Sequence, residues 1–145
     1  MLGSLDGIET GIRQLIRTEP LETVEIETNG VRLQLPSKAE MLRIKAVLIL
    51  KRNATRDYLD FVALAKMIGE SCVASALERF DELYPQPNGA SALQQLASQL
   101  ANPLPFDIDD TNLAEYKHLV KEYQDWNHIK ELCAHIAVAV IHPML

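Results

Sequence analysis

Five charged residues, Lys45, Arg52, Arg56, Asp57 and Asp60, fall within one short, mostly apolar stretch of the chain. Lys38, Lys45 and Arg52 recur at seven-residue intervals, close to two helical turns, so they share a face. Arg56, Asp57 and Asp60 are spaced to project together from the first turn of a following helix. The start of that helix favours the Asp57 carboxylate electrostatically. A lysine facing a polyphosphate, with a carboxylate near an incoming hydroxyl, suits phosphoryl transfer, which is mostly positioning and charge neutralisation. The same residues also suit an ion-pair network tying two helices together, with Arg56 on Asp60 and Lys45 or Arg52 on Asp57. Residue types alone favour that network, because structural ion pairs commonly imitate sites.

Two helices must position these charges, and Pro36 to Ile68 supplies them. Ser37 and Glu40 form an S-x-x-E capping box that opens the first helix. Met41 to Leu50 is apolar on nearly every side, which predicts a central, buried helix. Asn53 and Ala54 interrupt the run, and Thr55 is a candidate cap for the second helix.

The pattern K-x-x-x-x-x-x-R-x-x-x-R-D-x-x-D (Lys45, Arg52, Arg56, Asp57, Asp60), preceded by Pro-Ser-x-x-E-M-L, resembles nucleotidyltransferases of the AbiEii-like toxin family. That family lies within the DNA polymerase β-like superfamily. The resemblance runs from about Val31 to Ile68. It extends to the tail segments LANPLPFDIDDTNLAEYK and YQDWNHIKELCAHIA. It implies transfer of a nucleotide from an NTP, with Mg²⁺, to an acceptor hydroxyl such as that of RNA. Asp57 and Asp60 would then be catalytic, and Lys45, Arg52 and Arg56 would bind the nucleotide phosphates. Members of that family begin with a strand–helix–strand unit carrying G-S or G-G and a metal-holding D-x-D. The resemblance therefore implies an incomplete nucleotidyltransferase-like fold that is inactive alone and binds no cofactor tightly. It also implies a partner polypeptide supplying the missing half, or a cognate antitoxin.

Composition is that of one ordinary globular domain over residues 1–145, with 48% hydrophobic and 23% charged residues. A net charge of -6 disfavours broad nucleic-acid binding by the overall field. Cys72 and Cys133 form neither a disulfide framework nor a zinc spacing and read as buried thiols. There is no transmembrane-length apolar run and no signal-peptide pattern, so a cytoplasmic location is expected.

Along the chain, Met1 to Gly7 reads as a frayed end. Leu5, Ile8, Ile12, Leu15 and Ile16 have helical spacing, weakened by Gly7 and Gly11. Thr23 to Leu35 is a hairpin, with alternating apolar and polar residues about Asn29-Gly30, the favoured type I′ turn. Two strands alone are marginal in water, so its open edge is expected to serve a partner or a second copy of the chain. Helices follow at Glu70–Leu83, Ala90–Ala101, Thr111–Val120 and Tyr123–Ile141. The class is α+β with a helical majority, one hairpin followed by five to six helices.

Three other groups carry residue types that could do chemistry. Asp107-Ile108-Asp109-Asp110 holds a D-x-D able to chelate Mg²⁺, but its place between a Pro-rich loop and a helix fits capping acids better. His128, Glu131, His135 and His142 line one helical face, but residues seven apart stand about 10 Å apart and cannot share an ion. No metal ligands are therefore assigned. Trp126, Tyr116 and Tyr123 read as tail packing. A second class of function stays open beside the transferase: a non-catalytic helical interaction module that binds a protein through the hairpin edge.

Overall fold

A computed structural model describes residues 2–11, 14–116 and 118–141. The expected α+β class holds: two antiparallel hairpins precede a helical body. The first hairpin joins β1 (Leu2–Leu5) to β2 (Ile8–Gly11), and the second joins β3 (Thr23–Thr28) to β4 (Val31–Pro36). The helices are α1 (Lys38–Arg52), α2 (Thr55–Ile68), α3 (Glu70–Leu77), α4 (Phe80–Leu83), α5 (Ala92–Ala101) and α6 (Trp126–Ile141).

The second hairpin forms where alternation and turn chemistry both place it. Asn29 and Gly30 take φ of 50° and 74°, the left-handed pair that a type I′ turn requires. Its register sets Val24 opposite Leu35 and Ile26 opposite Leu33. The first hairpin corrects the helical reading of the N-terminal segment. Asp6 and Gly7 adopt φ of 51° and 79°, a second left-handed turn of the same kind, and Leu5 pairs with Ile8 across it. The helical spacing of apolar residues masked this short D-G signal. Ile12 lies outside the described residues.

The core is where the first long helix was expected. Leu42, Ala46, Val47 and Ile49 of α1 are fully buried. They lie in one cluster with Tyr58, Phe61 and Val62 of α2, Leu96 and Leu100 of α5, and Ile129 and Ile136 of α6. α1 packs on α2, α3 and α5, while α6 closes the body against α2, α3 and α5. Tyr58 meets Trp126 edge-on at 6.0 Å, so Trp126 does pack the tail onto the body.

Several boundaries differ from expectation. Glu70–Leu83 breaks into two helices at Glu78 and Arg79, which frees Arg79 to reach Glu19 and Glu82. Thr111–Val120 makes only a 3₁₀ turn at Leu113–Glu115, and Lys117 lies outside the described residues. A further 3₁₀ turn, Lys121–Gln124, leads into α6. Cys133 is buried, and burial pushes its thiol up to about 12, whereas Cys72 is exposed, against the expectation of two buried thiols. Val73, Ala76 and Leu77 form the buried side of α3, and Cys72 falls outside it.

Candidate functional site

The charged cluster lies at the elbow between α1 and α2, where the chain must turn sharply and still satisfy its helix ends. Asn53 closes α1 in the left-handed region, at φ 52° and ψ 40°, and its N–H donates to the Ile49 carbonyl at 3.0 Å. Asparagine tolerates that conformation at low cost. Its side chain then works in two directions. Nδ2 donates to the Leu104 carbonyl at 2.7 Å, and Oδ1 accepts from the Tyr58 hydroxyl at 2.5 Å. The Asn53 carbonyl accepts from the Phe106 N–H at 3.0 Å.

The cap of α2 comes from distant sequence. The N-cap position is Ala54, which offers no side-chain oxygen. Asp107 takes that role: its Oδ1 accepts from the Thr55 N–H at 2.7 Å and from the Thr55 hydroxyl at 2.8 Å. Thr55 is therefore the capped residue and not the cap. Asp107 is a capping acid as expected, but for a helix 52 residues upstream of it. Asp107→Ala is expected to cost about 1 kcal/mol, the usual value of an N-cap. Urea denaturation would measure it, and an unchanged midpoint would deny Asp107 this role.

The five candidate site residues are split by the fold into one ion pair and one triad. Arg52 forks onto Asp57, with Nε donating to Oδ2 at 3.1 Å and Nη2 donating to Oδ1. The hydrogen bond to Asp57 holds the guanidinium above its ordinary value. Lys45 Nζ donates to Asp60 Oδ2 at 2.7 Å, and Arg56 stands 3.8 Å from the same oxygen. Asp57 is fully buried, while Arg56 and Asp60 border a shallow cleft with Leu59, Tyr116, His118 and Leu119. Lys45 and Asp57 thus turn to different partners, and only Arg56 and Asp60 face that cleft. What this arrangement does chemically is clamp: each carboxylate is neutralised by a cation of the same pair of helices.

A second charged node escaped the sequence reading. Glu40 is fully buried and accepts from Arg17 Nη1, from Arg43 Nη1 at 3.0 Å and from the Glu22 N–H at 3.3 Å. Ser37 Oγ accepts from the Glu40 N–H at 3.0 Å, which is one half of the expected capping box. The other half is replaced: Ser37 N–H donates to the Glu22 carbonyl at 2.9 Å, which frees the Glu40 carboxylate for the arginines. The available signal is Arg43 standing, with Lys45, in the otherwise apolar run from Met41 to Leu50.

Histidines of α6 bind separate partners. His128 sits 3.7 Å from Glu122 and 3.9 Å from Glu131, whereas His135 lies 3.2 Å from Glu70. His142 lies outside the described residues. Among the described residues no group of three or more His, Cys, Asp or Glu side chains is placed to hold a metal ion.

The second hairpin is the other candidate. Val24, Ile26, Val31, Leu33 and Leu35 are all exposed, with between 39% and 56% of their surface open. These five share one face, since their cross-strand partners pair within the set or with Thr28. Glu25, Glu27, Arg32 and Gln34 occupy the opposite face. Among the described residues the two strands pair only with each other, so both outer edges are open. An apolar face of this kind marks an interaction site more often than an accident.

The fold is a helix-rich α+β body with an uncovered hairpin, and similarity to known proteins bears on its setting. The chain is 32% identical over 128 residues to the mycolic acid-containing lipids exporter MmpL11 of Mycolicibacterium smegmatis, which covers 86% of this chain and 13% of that protein. The match to the haem uptake protein MmpL11 of Mycobacterium tuberculosis has the same identity and coverage. The probable transport protein MmpL11 of Mycobacterium leprae is 28% identical over 128 residues, 86% of this chain and 12% of that one. The chain thus spans about an eighth of the length of these relatives. No protein-family model and no solved structure matches it.

These relatives overturn the nucleotidyltransferase resemblance, and with it the toxin–antitoxin setting and the incomplete transferase fold. All three are transport proteins by description, and they align along most of the chain. The physical reason for the false resemblance is now visible. An R-D-x-x-D spacing after a lysine-bearing helix is also what two helices need to close an elbow with ion pairs. NTP and Mg²⁺ entered only as corollaries of that resemblance.

Proposed function

We propose that this chain acts as a non-catalytic docking module in a transport system of the MmpL11 kind, associated with lipid export or haem uptake. The observation that carries this reading is the alignment of 86% of the chain with transport proteins. Among the described residues no helix is long and apolar enough to cross a membrane. One surface feature supports the docking role. The bare face of the β3–β4 hairpin gives it a surface to attach with, by apolar packing and by strand addition at an open edge. Two free thiols suit the reducing, cytoplasmic side of a membrane.

The occupant of that face is the remainder of the transport protein. The full chain is mixed with a detergent-solubilised MmpL11-type transporter from which the matching 128-residue segment has been deleted, and run on a sizing column. Co-elution is expected, and it should be lost when Ile26→Glu and Leu33→Glu place charge on the apolar face. Failure of the unaltered chain to co-elute, or equal co-elution of the charged variant, would overturn the reading. Self-association is a separate outcome, read from the mass of the chain alone. A dimer abolished by the same substitutions would assign the face to a second copy.

A further inference from the structure

α2, α3 and α6 do not pack fully where the chain breaks at Gly69. They leave a cavity of about 270 Å³ whose inner wall is Val62, Ala65, Leu132 and Ile136. Val62, Ala65 and Ile136 are core residues, buried to within a few per cent, so the floor of this open-mouthed pocket belongs to the core. Gly69 contributes to it directly. It sits at φ 87°, where other residues are strained, and a Cβ placed there would meet nothing within 4 Å. The chain break thus supplies an opening that no side chain fills.

The mouth is polar and carries both signs. Lys66 and Glu70 line it. Lys66 donates to Glu122 at 2.7 Å, and Glu70 stands 3.2 Å from His135. A ligand with a charged head would have to compete with one of these pairs and would meet a like charge beside it. An uncharged hydroxyl could accept from Lys66 or donate to Glu70 without displacing either.

We infer that this cavity is a binding site for a linear alkyl chain with an uncharged hydroxyl head. The apolar wall takes the chain, and the Lys66–Glu70 rim takes the head. Size agrees: dry apolar cavities of about 150 Å³ take up benzene, so this one accommodates on the order of nine or ten heavy atoms. The inference does not depend on the transport reading, because it uses neither the hairpin nor the relatives.

1-Octanol, a chain of that size, is the probe. Titrated into the full protein with labelled methyl groups, it should give saturable shifts at Val62, Leu132 and Ile136. Ala65→Leu fills the cavity from its inner wall and should weaken that binding by about tenfold or more, since each displaced methylene loses its burial. Leu132→Phe is the second variant should Ala65→Leu fail to fold, with the same expected loss. Absence of saturable shifts at these methyls, shifts confined to Leu33 and Leu35 of the hairpin, or unchanged affinity in a folded filled variant would each overturn the assignment.

Discussion

Glu40→Ala should lower the stability of the chain by about 3–5 kcal/mol, the cost of breaking a buried ion pair from one side. The Glu40 carboxylate is fully buried, and the Arg17 side chain that donates to it is 7% exposed. Removing the carboxylate leaves a guanidinium inside the protein whose remaining side-chain hydrogen bond, among the described residues, is to the Tyr84 hydroxyl 3.1 Å away. Arg43 suffers less, because it keeps Glu22 at 3.0 Å and the Ala76 carbonyl at 2.6 Å. The loss also reaches the backbone, since the Glu22 N–H gives up its acceptor. A melting temperature lowered by roughly 10–20 °C is the expected reading for a chain of this size. A loss below about 1 kcal/mol would show that Arg17 finds water, and that the node is an ordinary surface pair.

Arg52→Ala is the second large effect, and its value lies in an asymmetry. The variant strands Asp57, which is fully buried beside the elbow, and should cost about 3 kcal/mol. Asp57→Ala strands Arg52 instead. That side chain is 36% exposed and can turn into water, so the loss should be smaller by at least half. Removing both should be no worse than Arg52→Ala alone, because the uncompensated carboxylate is then gone. Urea titration of the two single variants and the double variant measures all three. Equal losses for the two single variants would contradict the burial difference on which the prediction stands.

How far the chain could be read depended on the range of each interaction. The β3–β4 hairpin was legible because alternation and an Asn-Gly turn act within a dozen residues, and α1 because its apolar run has one stable destination. The β1–β2 hairpin was not, since Asp6-Gly7 competes with apolar residues spaced as on a helix. Spacing alone offers Arg52 on Asp57 and Arg56 on Asp60 as an ion-pair network, and both pairs form, whereas Lys45 on Asp60 lies outside that reading. Arg52 chose Asp57 and Lys45 chose Asp60, a division set by the angle of the elbow. Asp107 on Thr55 and Arg17 on Glu40 lie beyond any local pattern, being 52 and 23 residues apart.

The two proline-bearing loops have opposite mechanical standing. In the loop at 85–90, the Gly89 N–H donates to the Gln86 carbonyl and the Ala90 N–H to Asn88, so these bonds stay within the loop. The loop at 102–107 sends its contacts to Asn53 and Thr55, and so works as the keystone of a corner that is remote in sequence. A reporter peptide or fluorophore grafted into the first loop would ride as a passenger, whereas the same graft in the second would spring the corner open.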